Sequence, residues 1–118
     1  MTKLRSYRDL HVWIKSMQLV EKVYQETKNF PTEERYALTS QIRRSAISVP
    51  SNIAEGQGRN TDGEFLQFLG IASGSLAELE TQIELSFRLG YLQDHTTINS
   101  MCDEVGKMLT GLIKSVKK

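Results

Sequence analysis

Basic side chains recur along the first predicted helix at the spacing of one helix face. These residues are Arg8, His11, Lys15 and Lys22, and Arg5 lies just ahead of them. Side chains three, four or seven positions apart lie on the same side of a helix. Such a row of cations can contact nucleic-acid phosphates, and it is also typical of ordinary solvated surface. We therefore predict a basic strip, formed by these five residues, that binds RNA or DNA phosphates without reading the base sequence.

Three arginines mark the ends of the segment RRSAISVPSNIAEGQGR, residues 43–59. Arg59 follows two glycines, and if its guanidinium is free in solvent we expect it to bind phosphate as the basic strip does. Arg43 and Arg44 have a second interpretation, because residues 60–95 carry one Lys or Arg against six Asp or Glu. Such an uneven charge distribution indicates a partner surface. We expect these two arginines to pair with Glu78 or Glu84 of another copy of the chain.

No residue pattern in the chain is typical of a catalytic or metal site. Gly56 and Gly58 follow a predicted helix and not a strand, so they do not form a dinucleotide-binding loop. Cys102 is the single cysteine, and His11 and His95 are far apart in the sequence, so no metal-ligand spacing is present. The sequence predicts a protein that is not an enzyme and has no cofactor or metal. The lack of a long apolar run predicts a cytoplasmic location without membrane association.

Apolar residues repeat every three or four positions through most of the chain, which predicts helices. In the first helix the repeat consists of Leu10, Trp13, Met17, Val20 and Tyr24. Residues that favour helix N-termini stand before the four segments, at Asp9, Thr32, Thr61 and Asp94. Gly90 is a typical C-terminal stop. The predicted helices span roughly residues 9–29, 33–56, 62–89 and 95–116.

The connections between these helices are short, and short connections favour antiparallel neighbours. We therefore predict an all-α protein, a single up-down-up-down four-helix bundle over residues 1–118. Pro50 lies inside the second helix, where it has no N–H for the carbonyl of Ala46 and its ring presses on that carbonyl. Apolar residues on both sides of Pro50 keep one helical phase, so we predict a kink, with a break of the helix as the alternative.

The third predicted helix has a second face of small residues opposite its apolar face. The face consists of Gly70, Gly74, Ala77 and Thr81, with Leu85 beside it. Glycine inside a helix costs about 1 kcal/mol relative to alanine, so it requires a compensating reason. Close contact with another subunit is the predicted reason, and a helix central to its own bundle is the alternative. The predicted oligomer interface comprises Arg43, Arg44, Ile47, Gly70, Gly74, Ala77, Glu78, Thr81 and Leu85.

Four strings of the chain together resemble a known family. They are VWIKSMQLV, FPTEERYALTSQIRRSAISVPSNIAEGQGR, EFLQFLGIASGSLAELETQIEL and LGYL. They resemble the 23S rRNA intervening-sequence protein family of small bacterial four-helix bundles, to which the accessory protein of diversity-generating retroelements is related. The resemblance implies a ring-forming homo-oligomer, a pentamer as in that relative, with an RNA or DNA connection and no catalytic residues. A ring-shaped scaffold or adaptor for protein partners is the alternative function.

Overall fold

The chain folds into four helices that pack around one apolar core. The computed structural model describes residues 6–118, and these residues contain four α-helices and no β-strand. We name the helices α1 to α4, and they span His11–Thr27, Leu38–Gln57, Asp62–Arg88 and Thr96–Lys117. The predicted all-α four-helix bundle is therefore confirmed.

Each helix contacts its neighbours in the sequence, and α4 also packs against α1. In the diagonal pairs, α1 with α3 and α2 with α4, no Cα atoms come within 8 Å of each other among the described residues. Hydrogen bonds pair α2 and α3 in opposite directions, because Ser45 lies against Gln82 and Ser48 lies against Ser75. Among the described residues, every α-helix thus has two neighbouring α-helices.

The inner face of α1 differs from the predicted one. Its buried residues are Val12, Ser16, Leu19, Val23 and Thr27. Met17 and Tyr24, which the apolar repeat assigned to the core, are 40% and 38% exposed. Ser16 and Thr27 are buried without cost to hydrogen bonding because each hydroxyl donates to a backbone carbonyl one turn earlier, at 2.8 Å. A prediction based on apolar residues alone therefore missed the inner face of α1, because two of its buried residues carry hydroxyl groups.

The second helix begins later than predicted, and Thr32 is not its N-cap. Thr32–Glu34 forms a short 3-10 turn, and α2 begins at Leu38. Ala37 precedes α2 without a side-chain cap, and the Glu34 carboxylate accepts the Leu38 N–H at 3.3 Å. Residues 35–37 therefore lie outside the helix that was predicted to contain them.

The other helix ends follow local capping rules with two exceptions. Asp9 does not cap α1, because it closes the separate 3-10 turn Tyr7–Asp9. Thr61 caps α3 as predicted, since its hydroxyl accepts the backbone N–H three residues later at 3.2 Å. Gly90 follows α3 with φ of +82°, a backbone conformation that favours glycine. Asp94 is not the N-cap of α4, because His95 holds that position without a side-chain cap, but Asp94 accepts the N–H of Thr96 at 2.9 Å.

The helix α2 runs through Pro50 without interruption, so a break at this residue is contradicted. Polar side chains tie α2 to α3 ahead of the buried proline. Ser45 Oγ lies 2.6 Å from Gln82 Oε1, and Ser48 Oγ lies 2.7 Å from Ser75 Oγ. These bonds hold α2 against α3 in the turns before Pro50. The proline has no N–H, so α2 lacks one backbone hydrogen bond there. The kink stays a prediction.

Close approach between α2 and α3 depends on Gly56. A Cβ added at this residue would lie 2.6 Å from the Cβ of Phe68. That distance is shorter than side chains tolerate, so a larger residue would push the two helices apart. The sequence pattern indicated a helix end at Gly56, but α2 continues to Gln57 and Gly58 is its C-cap. Gly56 is therefore a packing residue inside the helix.

Candidate nucleic-acid interface

The first members of the basic strip are accessible where α1 begins. Arg5 lies outside the described residues. Arg8 is exposed, and its guanidinium lies 5.1 Å from the centroid of the Tyr7 ring. His11 is exposed beside a shallow groove between α1 and α4, which Met108 also lines. Arg8 and His11 can therefore reach a ligand at this end of the bundle.

The lysines of the basic strip have acidic neighbours. Lys15 Nζ lies 3.7 Å from Glu104, and Lys22 Nζ lies 3.8 Å from Glu26. These ion pairs are partly exposed and so contribute little to folding. The carboxylates nevertheless offset the positive potential that the lysines would present to a phosphate. Binding of nucleic acid by Lys15 and Lys22 stays a prediction.

Arg59 is held by its own chain. Its Nη2 donates to Glu55 Oε2 at 2.9 Å, and its guanidinium lies 4.7 Å from the centroid of the Phe68 ring. The expectation that Arg59 binds phosphate depended on a guanidinium free in solvent. A phosphate ligand would have to compete with the Glu55 carboxylate for this group.

A different set of cations converges beside the N-terminal half of α2. An open cleft of about 460 Å³ is lined there by Tyr24, Arg35, Tyr36, Thr39, Ser40, Arg43, Arg44 and Ile47. We call it the arginine cleft, and none of its lining residues is acidic. Arg35 and Arg44 are exposed and form no ion pair within residues 6–118. Three guanidinium groups thus face one cleft without a carboxylate in its walls.

Two structural features bring these residues together. The late start of α2 leaves Arg35 and Tyr36 in the connection that precedes the helix. The remaining residues of the cleft come from successive turns of α2 and from Tyr24 near the end of α1. Arg35 and Tyr36 were not among the predicted site residues, because both fell inside the predicted second helix. An arginine and an aromatic residue side by side, shortly before Arg43 and Arg44, were the available signal.

Arg43 bonds within its own chain. Its Nε donates to Thr27 Oγ1 at 2.8 Å, and its guanidinium lies 4.5 Å from the centroid of the Tyr24 ring. These contacts fix Arg43 between α1 and α2 and satisfy part of its hydrogen-bonding capacity. Arg43 is therefore less available than Arg44 for a carboxylate of another subunit.

The acidic residues proposed for a subunit contact also differ in availability. Glu84 bonds Arg88 at 2.8 Å and lies 3.5 Å from His95. The hydrogen bond from Arg88 lowers the pKa of the Glu84 carboxyl, and His95 acts in the same direction. Glu78 is exposed and has no ion pair within the described part of the chain. Arg44 with Glu78 remains the best candidate pair between subunits, and this pairing stays a prediction.

The small face of α3 is open in the isolated chain. A Cβ added at Gly70 or Gly74 would meet no atom within 4 Å. Ala77 and Thr81 on the same face are exposed, and Leu85 beside it is 46% exposed. A position of this face inside its own bundle, the alternative to a subunit contact, is therefore contradicted. Contact with another subunit stays a prediction.

Titratable side chains near the core do not form a catalytic cluster. Burial, together with the nearby carboxylates of Glu80 and Asp103, raises the pKa of the Cys102 thiol to about 12. A thiol with so high a pKa is a poor nucleophile at neutral pH. Among residues 6–118 no three His, Cys, Asp or Glu side chains are close enough to hold a metal ion.

No helix within residues 6–118 combines the length and the apolar character that crossing a membrane requires.

The family is decided by a match that covers most of the chain. A family model described as 23S rRNA-intervening sequence protein matches residues 8–111. The chain belongs to this family. A crystal structure from Bacteroides thetaiotaomicron, of a protein with unknown function from the S23 ribosomal protein family, is similar to this member of the 23S rRNA-intervening sequence proteins.

The Bacteroides structure superposes with a TM-score of 0.80 at 28% sequence identity, over 87% of this chain and 95% of the other. No curated protein matches the chain significantly. The comparisons thus establish the family and the bundle fold of this 23S rRNA-intervening sequence protein. The chemistry of its surface is the basis for inferring its function.

Proposed function

We propose that this protein is a non-enzymatic, oligomeric helical bundle that binds RNA or DNA through phosphate contacts. The observation that carries the proposal is the arginine cleft, which has three guanidinium groups and no acidic lining residue. The planar guanidinium group matches phosphate oxygens with two parallel hydrogen bonds. The description of the family, which refers to 23S rRNA, supports RNA as the ligand. A cytoplasmic location and the absence of a cofactor are part of this proposal.

The basic strip has an auxiliary role in the proposed binding. Arg8 and His11 are accessible, whereas Lys15 and Lys22 must exchange a carboxylate for a phosphate. In a homo-oligomer, which the family resemblance suggests is a pentamer, each subunit would present the same cleft and strip. Repeated weak contacts along one nucleic acid raise the overall affinity through effective concentration. Oligomerisation thus compensates for the modest net charge of +1 of each chain.

The proposal is tested by measuring affinity for a structured RNA and a DNA duplex at several salt concentrations. Binding through phosphates releases counterions, so log K should fall linearly with log salt, by ~0.9 per phosphate neutralised on duplex. Arg35→Gln with Arg44→Gln should weaken binding to different sequences alike and reduce the slope by about 2. The matched control, Lys15→Gln with Lys22→Gln, removes the same charge and should reduce the slope less because both lysines have carboxylate partners.

Sedimentation of each variant separates binding from assembly, because Arg44 is also a predicted interface residue. If the arginine substitutions reduce the slope of log K against log salt and leave the oligomer mass unchanged, the arginine cleft is supported as the phosphate site. Equal reductions of this slope by the arginine pair and by the lysine pair would contradict the cleft as the main phosphate site. Absence of parent binding to either nucleic acid at physiological salt would contradict the proposed function itself.

An adaptor for protein partners is the second candidate function. Ile71 and Leu85 on α3 are 45% and 46% exposed, beside the open small face. Exposed apolar residues that flank a face without bulky side chains are typical of a protein contact. If the parent protein binds no nucleic acid while Ile71→Ser abolishes capture of a protein partner by an intact oligomer, the adaptor function replaces the first proposal.

A further inference from the structure

A buried hydroxyl in the arginine cleft has no hydrogen-bond partner. Thr39 lines the cleft and is 8% exposed, and its Oγ1 is a buried side-chain oxygen with no hydrogen-bond partner among the described residues. Buried polar groups are nearly always hydrogen-bonded, and leaving one without a partner is costly. Because Oγ1 itself is buried, a ligand atom in the cleft would supply the missing partner after the Thr39 side chain rotates toward the cleft. A phosphate oxygen is suitable because a hydroxyl donates to it readily.

The backbone next to Thr39 favours the same kind of ligand. The helix α2 begins at Leu38, and no side chain on the N-cap residue Ala37 caps it. Leu38 N–H donates to Glu34, whereas the N–H groups of Thr39 and Ser40 have no partner within residues 6–118. Free N–H groups and the helix dipole attract an anion at a helix N-terminus. The Glu34 carboxylate does not line the cleft.

An exposed aromatic ring stands at the edge of the same cleft. Tyr36 is 88% exposed, although large aromatic side chains normally bury most of their surface. The Arg35 guanidinium lies 5.8 Å from the centroid of its ring. An aromatic ring beside cations is the arrangement on which unpaired bases stack in proteins that bind single strands. A paired base inside a duplex does not offer its face to such a ring.

We propose that the arginine cleft is a binding site for single-stranded nucleic acid, in which one phosphate contacts Thr39 and Arg44 and a neighbouring base stacks on Tyr36. This inference rests on the proposed function and specifies the form of the ligand. The phosphate would complete the hydrogen bonding of Thr39 Oγ1 and cap α2. Arg35 would neutralise the next phosphate. Stacking on Tyr36 would add affinity for a single strand but not for a duplex, because paired bases do not offer their faces to the ring.

The preference for single strands is tested with a labelled single strand and a duplex of the same sequence. We expect the parent to bind the single strand more tightly at equal salt. Tyr36→Leu should weaken single-strand binding by about 5- to 150-fold, the range for loss of one stacked base, and leave duplex binding nearly unchanged. Tyr36→Phe is the matched control and should bind as the parent does, because stacking needs the ring and not its hydroxyl.

The phosphate contact is tested with Thr39→Val, which keeps the shape of the side chain and removes the hydroxyl. In the free protein this change should raise the melting temperature, because it removes a buried polar group without a partner. It should also weaken single-strand binding, by about 10-fold or more for a hydrogen bond to a charged group. A purely structural role of Thr39 would not combine higher stability with weaker binding.

The outcomes separate this inference from the proposed function. If single strand and duplex bind equally and Tyr36→Leu has no effect, while Arg35→Gln with Arg44→Gln still weakens binding, the proposed function stands and this inference is wrong. If the Tyr36 and Thr39 variants lose oligomer mass and keep their affinity, the cleft is a subunit contact and the inference is also wrong. If neither nucleic acid binds the parent, both proposals are wrong.

Discussion

Glycines in this chain have different roles that their positions in the helices do not reveal. Gly56 allows α2 and α3 to approach, because a Cβ there would lie 2.6 Å from Phe68 Cβ and 3.1 Å from a ring carbon of Phe65. Gly111 on α4 is exposed, and a Cβ there would meet no atom within 4 Å. The first glycine is needed for packing, whereas an added Cβ at the second would meet no described residue, so this glycine only lowers helix stability.

We therefore expect Gly56→Ala to lower the free energy of unfolding by about 1–3 kcal/mol, the usual cost of overpacking a core. Gly111→Ala is the matched control and should raise it by up to about 1 kcal/mol through better helix propensity. Urea denaturation at one fixed protein concentration measures both, since assembly makes stability depend on concentration. Equal effects of the two substitutions would contradict the close approach at Gly56.

At the scale of a helix, a carboxylate one residue before the N-cap of α4 bonds the first turn of this helix. Asp94 accepts the Thr96 N–H at 2.9 Å, and this hydrogen bond lowers the pKa of the Asp94 carboxyl. A carboxyl whose pKa is lower in the folded than in the unfolded state stabilises the fold above its unfolded pKa. That contribution disappears as the pH falls through the folded pKa.

Asp94→Ala should lower the melting temperature at pH 7, with a deficit relative to the parent that shrinks as the pH falls below ~4. Asp94→Asn is the control, because a neutral amide oxygen still accepts the N–H but does not titrate. Thermal unfolding followed by circular dichroism across this pH range is the measurement. A deficit that stays constant from pH 7 to the acid limit would show that the carboxylate charge has no role.

At the scale of the whole molecule, the outer side of α3 is the surface predicted to contact a second copy of the chain. Gly70 and Gly74 are open, and Ile71 and Leu85 beside them are partly exposed. A monomer gains nothing from glycine on a solvated helix face, because glycine weakens the helix. The predicted reason is the backbone of a second copy lying close to this face.

Gly74→Leu should give a folded helical protein with reduced oligomer mass, because the added side chain would fill the space that the partner occupies. Gly111→Leu is the matched control, since it adds the same side chain to an exposed glycine with open surroundings on α4. Light scattering measures the mass, and circular dichroism measures the helicity. An unchanged mass for Gly74→Leu with intact helicity would place the interface elsewhere.

Much of the fold follows from local sequence. The apolar repeat predicted four helices, and Thr61 and Gly90 mark ends of α3 because capping and positive φ depend on adjacent residues. In α2 the apolar residues with helical spacing, Leu38, Ile42, Ala46, Val49 and Ile53, are all buried. Helix periodicity and capping act within one or two turns, so the sequence alone determines them.

Tertiary structure decided which residues are brought together. Thr32 was a suitable N-cap, yet the Glu34 carboxylate bonds both Leu38 and Tyr91, a residue 57 positions away from Glu34. The late start of α2 that accompanies these contacts leaves Arg35 and Tyr36 outside the helix. The arginine cleft therefore arises from contacts between distant segments. The sequence determined where the arginines stand along the chain, and only packing between helices determined which arginines share one cleft and which are paired with carboxylates.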